Sequence, residues 1–267
     1  VVFRTGGIIE LQSEIQITNP YITIAAQTAP GDGIVLKNYS LSTFTHDIII
    51  RGLRIRPGDG NIHNGADTRD CITIQTGSHH IIFDHCSMSW GIDENVNLWD
   101  SAHHITLQWN IISEGLFHSI HPKGPHSMAL LIGNESTKTS THHNLLAHNK
   151  ARNPLLIGRT NHEFLNNVIY DWGYGGEFLE NGEQVKVDIA GNYWKPRTSV
   201  VDTAEMPLRV DFDSTTAFGS MLYCTNNMYV GINFLNATQL ANMHGNAALI
   251  SSTSLLDSAS TVTFDTP

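Results

Sequence analysis

Acidic and amide side chains are concentrated in one short stretch of the sequence, DHCSMSWGIDENVNLW, at positions 84 to 99. Asp93, Glu94 and Asn97 lie within five consecutive positions, between two segments that have the apolar character of buried strands. Burying a carboxylate is costly unless the group is paired or binds a metal ion. Oxygen ligands without cysteine favour a hard cation, Ca²⁺ above all. The stretch therefore predicts a calcium site, with solvated turn carboxylates as the alternative.

Asparagine recurs along the chain at a spacing typical of solenoid repeats. Segments such as HITLQWNII, HEFLNNVI and VDIAGNYW align so that rungs of about 24 residues alternate with rungs about ten residues longer. Asparagine tolerates left-handed backbone, and its amide can bond the amide one rung away, about 4.8 Å along a stack. The column reads Gly52, Cys86, Asn110, Asn144, Asn167, Asn192 and Asn227.

A second family of strand-like segments keeps the same period. Its matching apolar positions are Ile74, Leu98, Ile132 and Ile157. Two strand families with one shared period indicate a chain that coils and adds one strand to each of several parallel sheets per turn. The sequence therefore predicts an all-β protein, a right-handed parallel β-helix. We expect one domain over residues 1–267, with a last rung and a C-terminal cap or side-packing segment from about residue 200.

The shared period predicts which polar residues meet. Counting back four positions from Ile74 and Leu98 reaches Asp70 and Glu94, and counting back five from Leu98 and Ile157 reaches Asp93 and Arg152. These groups enter one sheet at similar heights. Long loops precede two of the strands, and function concentrates on loops that a rigid scaffold holds. The pattern predicts a groove with acidic ligands at one end and basic groups at the other.

Composition limits the classes of partner. The formal net charge is −10, which argues against nucleic acid, and no apolar stretch is long enough to span a membrane. An acidic substrate would need bridging cations. The three cysteines are compatible with one disulfide or with free thiols. Scarce lysine with abundant Asn, Thr and Ser suits a secreted or periplasmic protein, although no signal peptide is visible.

Histidine is abundant, with 15 residues, and raises the question of zinc. The histidine pairs at 79–80, 103–104 and 142–143 recur just before or within strands, so we interpret most of them as stacked structural residues. No HExxH spacing is present. The sequence therefore disfavours a zinc site.

At these residues the chain resembles the pectate lyase family, polysaccharide lyase family 1. The resemblance covers roughly residues 1–194 and depends most on IIFDHCSMSW, GIDENVNLW and the RNP of HHNLLAHNKARNPLLIG. It implies a right-handed parallel β-helix that cleaves polygalacturonate by Ca²⁺-assisted β-elimination. By position it implies that Asp70, Asp93 and Asn97 are calcium ligands. Asn97 replaces a carboxylate of the family pattern, which predicts weaker binding of Ca²⁺ and a compensating role for Glu94.

The same resemblance implies the basic groups of the site. Arg152 matches the family arginine that acts as the base, within an R-x-P pattern. Two basic residues of the family lack direct matches, and Lys123 in HPKGPH and Arg159 are their replacements here. Lys123 is then a catalytic residue beside Arg152. Arg159, His126 and His143 are expected to bind substrate.

The implied partner is an acidic polysaccharide, polygalacturonate or pectin, bound by a monomeric enzyme. A lyase for another uronate polymer or for esterified pectin is a close alternative. A second alternative is an inverting polygalacturonase-type hydrolase with carboxylates about 6.5–9.5 Å apart. A third is a non-catalytic β-helix that binds carbohydrate.

Overall fold

The computed structural model describes residues 1–60, 67–158, 160–179, 184–197, 207–211, 220–229, 232–234 and 250–251. These residues form three sheets, and the strands enter the three sheets in rotation along the chain as far as β25 (Asn227–Tyr229). The next strand, β26 (Ile232–Phe234), folds back onto β25 in the one antiparallel pair of the described residues, and all other pairs are parallel. The chain therefore coils through sheets 1, 2 and 3 in turn, and the parallel β-helix predicted from the sequence is confirmed.

The strands are short, and each sheet receives one strand per turn. Sheet 1 contains β1 (Gly7–Glu10), β4 (Ile34–Lys37), β7 (Arg54–Arg56), β10 (Ser87–Ser89), β13 (Ile111–Ser113), β16 (Leu145–Ala147), β19 (Val168–Tyr170), β22 (Tyr193–Lys195), β25 (Asn227–Tyr229) and β26 (Ile232–Phe234). Sheet 2 contains β2 (Ile15–Ile17), β5 (Leu41–Thr43), β8 (Ile72–Ile74), β11 (Glu94–Leu98), β14 (Met128–Ile132), β17 (Leu155–Ile157), β20 (Gly176–Leu179) and β23 (Leu208–Asp211). Sheet 3 contains β3 (Ile22–Ala25), β6 (His46–Arg51), β9 (His79–Asp84), β12 (His103–Gln108), β15 (Thr137–His142), β18 (Thr160–Leu165), β21 (Val185–Ala190), β24 (Met221–Thr225) and β27 (Ile250–Ser251).

The core fills the space enclosed by the three sheets. Strand side chains alternate between the two faces of a sheet, so every second residue points inward. In sheet 3 the inward column includes Ile50, Phe83 and Leu107, which pair in register on adjacent strands and are fully buried. Burial of such side chains contributes about 1.5–3 kcal/mol each.

The predicted asparagine column is a buried hydrogen-bonded ladder. It lies in the turns from sheet 3 to sheet 1, which we call the asparagine corner. The Asn144 side chain accepts from the backbone N–H and the amide of Asn110 (2.9 and 3.0 Å) and donates to Leu107 O at 2.8 Å. Asn167, Asn192 and Asn227 continue the same pattern. Each of these amides has hydrogen-bond partners. Its burial therefore avoids the free-energy cost of a buried polar group without a partner.

The predicted column is wrong by one residue at its first rung. Arg51 pairs with Asp84, so Leu53, not Gly52, aligns with Cys86. Gly52 belongs instead to the preceding column, whose members have left-handed backbone, as at His85 (φ 53°) and Trp109 (φ 55°). The asparagines are therefore selected for their ladder of hydrogen bonds, while their predecessors take the left-handed turn.

The predicted register of Ile157 is also wrong by one residue. Ile132 pairs with Leu156, and Met128 forms a bridge with Ala151. Leu131 lies three positions after Met128, whereas its partner Leu155 lies four positions after Ala151. The extra residue makes a bulge before β17, and bulges re-aim side chains.

The three cysteines are free, buried thiols. Burial raises the pKa of Cys86 to about 11 and of Cys224 to about 12. The segment predicted as the last rung contains β24 and β25, β27 adds a further strand beside β24, and most of the predicted C-terminal cap lies outside the described residues. Among the residues described, no helix has the length and apolarity needed to cross a membrane.

Candidate functional site

The turns from sheet 1 to sheet 2 form a second corner, which we call the site corner. Its two long turns are residues 57–71 and 114–127, and its short turns include 90–93 and 148–154. Residues 61–66 lie outside the described part of the first long turn. This corner holds Asp70, Asp93, Glu94, His126 and Arg152, all of them predicted site residues.

Asp70 lies at the base of the site and organises the next rung. Its Oδ1 accepts the backbone N–H of Glu94 at 2.9 Å, and its Oδ2 accepts from the Asn97 amide at 3.1 Å and the Thr73 hydroxyl at 3.0 Å. Burial raises the pKa of Asp70 to about 8, and the charge of Asp93 adds to that rise. The hydrogen bonds from Asn97 and Thr73 act in the opposite direction. Asp70 and Asp93 therefore repel each other in a site that is largely closed to water.

Asp93 faces two stacked imidazoles from the long turn above it. Nε2 of His126 lies 2.7 Å from its Oδ1, and Nε2 of His121 lies 3.4 Å from its Oδ2. The two rings are 3.7 Å apart with planes only 12° from parallel. Lone pairs in nearly parallel planes do not converge, so this trio is poorly arranged to chelate one ion through both rings. The imidazoles instead cover the carboxylate and leave 21% of the Asp93 side chain exposed.

His121 is held in one orientation by the backbone. The N–H of Lys123 donates to its Nδ1 at 3.1 Å, so the ring carries its proton on Nε2, toward Asp93. Burial lowers the pKa of His126, against the opposing effect of the Asp93 charge.

Arg152 reaches the same point from the bulge before β17. It has left-handed backbone (φ 59°). Its Nη1 contacts Oε1 of Glu94 directly and lies 3.8 Å from Oδ1 of Asp93. The Glu94 side chain is 3% exposed, whereas 22% of the Arg152 side chain faces solvent. The bulge that displaced the predicted register thus aims the guanidinium at two carboxylates of β11 and the turn before it.

The buried oxygen atoms of this corner give the site its capacity for a cation. Oδ1 of Asn97 is buried without a hydrogen-bond donor among the described residues, and it lies near the carboxylates of Asp93 and Glu94, which contact His126 and Arg152. Buried acceptors are normally paired, so the Asn97 oxygen needs a partner. Carboxylate and amide oxygens are the donors that Ca²⁺ prefers. The donor set therefore fits a hard divalent cation.

The other predicted basic and imidazole residues are placed differently. Lys123 is exposed on the long turn, and in the described chain its ammonium makes no hydrogen bond or ion pair. His143 lies at the asparagine corner, where its ring stacks on Trp109 at 4.4 Å. The structure therefore separates His143 from the cluster around Asp93. Arg159 lies outside the described residues.

Sequence reasoning missed the residues that support this corner from behind. Besides His121, Asn95 and Asn149 form a second buried pair, joined at 3.0 Å. Asn95 accepts the Gly91 N–H and Asn149 accepts the Gly115 N–H, which fixes both turns. Asn95 and Asn149 follow no fixed interval along the chain, so periodicity could not reveal them. The sequence offered only one indication of these two residues, which is that Asn95 and Asn149 lie close to the candidate site residues Glu94 and Arg152.

Known proteins resemble the chain over most of its length. It is 39% identical over 206 residues to a probable pectate lyase C of Aspergillus flavus, which is 75% of this chain and 45% of the relative. A probable pectate lyase C of Aspergillus terreus is 40% identical over 206 residues, with the same two shares. The chain thus spans less than half of these relatives. No family model matches the sequence.

Solved structures show the same fold at low sequence identity. A thermostable pectate lyase superposes with a TM-score of 0.64 at 13% identity, covering 94% of this chain and 66% of the other. A pectate lyase bound to a hexasaccharide gives 0.56 at 16% identity, with shares of 89% and 65%. The Aspergillus relatives confirm the resemblance to pectate lyases that the motifs indicated, and the solved structures show that the fold is shared.

Proposed function

We propose that this chain is the catalytic β-helix of a pectate lyase, which cleaves de-esterified polygalacturonate by Ca²⁺-assisted β-elimination. The observation that carries the proposal is the contact of Arg152 with Glu94, next to Asp93, at a corner where the buried Oδ1 of Asn97 has no hydrogen-bond donor among the described residues. The similarity to probable pectate lyases supports it. An acidic polymer in a negatively charged groove requires a bridging cation, which this donor set suits.

Asp93 and Asn97 would hold the cation, with Asp70 as the third predicted ligand below them. Asp70 orients Asn97 through the hydrogen bond between Oδ2 and the Asn97 amide, which leaves the Asn97 Oδ1 free to face outward. Bound Ca²⁺ would neutralise the uronate carboxylate and acidify the proton on the adjacent sugar carbon. Glu94, the fourth predicted ligand, is engaged by Arg152 and acts on the cation site mainly by balancing charge.

Arg152 is the proposed base that removes this proton. A guanidinium has a pKa above about 12, so it must first lose a proton of its own. The direct contact with Oε1 of Glu94 supplies an acceptor for it. The electron pair left on the sugar carbon then expels the glycosidic oxygen and forms the double bond of an unsaturated uronide end. Lys123 and His126 border the same space from the long turn and are proposed to bind uronate groups.

The test is the ultraviolet absorbance of products from polygalacturonate, measured with Ca²⁺ and with a calcium chelator. A gain in absorbance that the chelator abolishes is the expected result, because only elimination creates the conjugated double bond. New reducing ends without absorbance would instead establish a hydrolase. Binding without turnover would establish a non-catalytic carbohydrate-binding β-helix. We also propose that the protein is a monomer that acts outside the cytoplasm, secreted or periplasmic.

A further inference from the structure

The outer face of sheet 2 carries two strips of different character next to the cation site. Ile74, Leu98 and Ile132 point into the core, so their immediate neighbours point outward. The first strip is polar over three rungs. It consists of Ser42, Thr73 and Asn97, which pair in register on adjacent strands. The strip two residues further along the strands is mostly apolar. Its members are Phe44, Gln75, Trp99, Gly133 and Ile157.

Trp99 is the largest side chain of this second strip. It lies two residues after Asn97 on the same face, about 6.6 Å along the strand. The backbone N–H of Trp99 donates to Ile74 O at 2.9 Å, so the backbone hydrogen bonding between β11 and β8 continues to this residue. The side chain is only partly buried. Trp99 therefore presents an aromatic surface on the same outer face of sheet 2 as Asn97.

Gly133, one rung further, makes room for the indole. A Cβ at this glycine would lie 2.6 Å from Cζ3 and 3.2 Å from Cε3 of Trp99. The backbone of Gly133 is not left-handed, so its conformation does not require glycine. Its N–H donates to Leu98 O at 3.0 Å as an ordinary ladder residue. The absence of a side chain at position 133 is thus explained by the ring that occupies the space.

We propose that Trp99 is a sugar-binding platform for a pyranose unit of the acidic polysaccharide, set beside the unit whose carboxylate meets the cation. The proposal rests on the proposed function, since it names a second contact of the same substrate. A pyranose has an apolar face of C–H groups and a polar rim of hydroxyl groups. Binding sites for such ligands combine aromatic surface with a few placed polar groups. The apolar strip with Trp99 and the polar strip with Thr73 and Asn97 match these two sides.

The experiment compares variants for oligogalacturonate binding and for cleavage kinetics in the presence of Ca²⁺. Trp99→Ala should weaken binding about tenfold, whereas Trp99→Phe, which keeps an aromatic face, should weaken it less than about threefold. The loss should appear in KM, with kcat nearly unchanged, because the platform does not touch the reacting atoms. Binding should also quench indole fluorescence in the wild type and not in Trp99→Phe.

Gly133→Ala gives an independent check that leaves Trp99 in the sequence. The added methyl group must displace the indole, so this variant should lose affinity as Trp99→Ala does. Trp109→Ala is the matched control, because Trp109 is 52% exposed but lies at the asparagine corner. Thermal melting of each variant establishes that it is folded.

Two results would overturn the inference in different ways. If the wild type binds and cleaves polygalacturonate but Trp99→Ala retains its dissociation constant and KM, the platform is wrong and the proposed function stands. If the wild type binds no oligogalacturonate with Ca²⁺ present, the proposed function fails and the platform fails with it.

Discussion

The asparagine corner and the site corner bury polar groups to opposite effect. At the asparagine corner, the Asn144 amide uses its oxygen for two donors of Asn110 and gives its hydrogens to Leu107 O and Asn167 Oδ1. At the site corner, Oδ1 of Asn97 is buried with no donor in the described chain. Polar groups that satisfy each other stabilise the coil, whereas groups that lack partners are available to a ligand. Burial alone therefore does not distinguish a structural polar residue from a functional one, and at these two corners the hydrogen-bond partners make the difference.

The largest effect is expected at the site corner. Arg152→Ala should lower kcat on polygalacturonate by about 10³-fold or more, which corresponds to about 4 kcal/mol in the transition state. The melting temperature should also fall, because the substitution leaves the buried carboxylate of Glu94 without its guanidinium partner, so kcat is compared where both proteins are folded. Arg51→Ala is the control, since Arg51 also pairs with a carboxylate, Asp84, but on sheet 3 near the asparagine corner. Equal kcat for Arg152→Ala and wild type would remove Arg152 from catalysis.

The asparagine corner should show the reverse pattern. Asn144→Ala removes four side-chain hydrogen bonds and leaves buried groups of Asn110 and Asn167 without partners. The expected loss is about 3 kcal/mol of unfolding free energy, measured by denaturant titration. Activity per folded molecule should be retained. Asn19→Ala, at an exposed position, should leave the stability unchanged. A stable Asn144→Ala protein with reduced kcat would contradict the division between the two corners.

Acid should act on the scaffold through a buried histidine. His162 lies on the inner face of sheet 3 against the Thr139 hydroxyl, and burial lowers its pKa to about 3. The unfolded chain, with an ordinary histidine pKa near 6.5, takes up the proton first. Stability is therefore complete above about pH 6.5 and falls as the pH drops toward 3.

At pH 5 this loss should be about 2 kcal/mol. Denaturant titrations at pH 7 and pH 5 should show it in the wild type, whereas His162→Gln should have a shallower pH dependence. His80→Gln, at an exposed position, is the control and should behave as the wild type does. The prediction fails if His162→Gln and the wild type lose equal stability between these two pH values.

The smallest effect is expected at Lys123. Its ammonium is exposed, so it should attract an acidic polymer through a charge that salt screens. Lys123→Ala should raise KM about two- to threefold at low ionic strength, and the difference should vanish at high ionic strength. Lys138→Ala, exposed on sheet 3, is the control. A large loss of kcat in Lys123→Ala would instead support the catalytic role that the resemblance implied.

Periodic features of the molecule could be predicted from the sequence, and irregular ones could not. The asparagine column predicted the coil, because a residue that bonds its counterpart one rung away must recur once per turn. The register failed at Gly52 and Ile157, where a glycine and a one-residue bulge break the repeat. Asp70 and Glu94 were correctly aligned because each lies four positions before one of the paired residues Ile74 and Leu98.

The long turn escaped prediction for the same reason. His121 and His126 stack on each other only because the chain folds back over Asp93. No interval in the sequence specifies that path. The Trp99–Gly133 contact joins adjacent rungs, but it depends on the direction of one indole. Strand alternation places both residues outward without showing that they touch.

The asparagine ladder also has a direction. The N–H at Cys86 donates to Asn110, that of Asn110 to Asn144, and that of Asn144 to Asn167, so each rung is completed by the rung that follows it. The two ends of the coil therefore differ. At the C-terminal end of the described coil, the backbone N–H of the last rung has no asparagine of a following rung to accept its hydrogen bond. A chain leaving the ribosome would add turns in order onto a template already formed. Elongation ends only when something other than a further turn covers that donor.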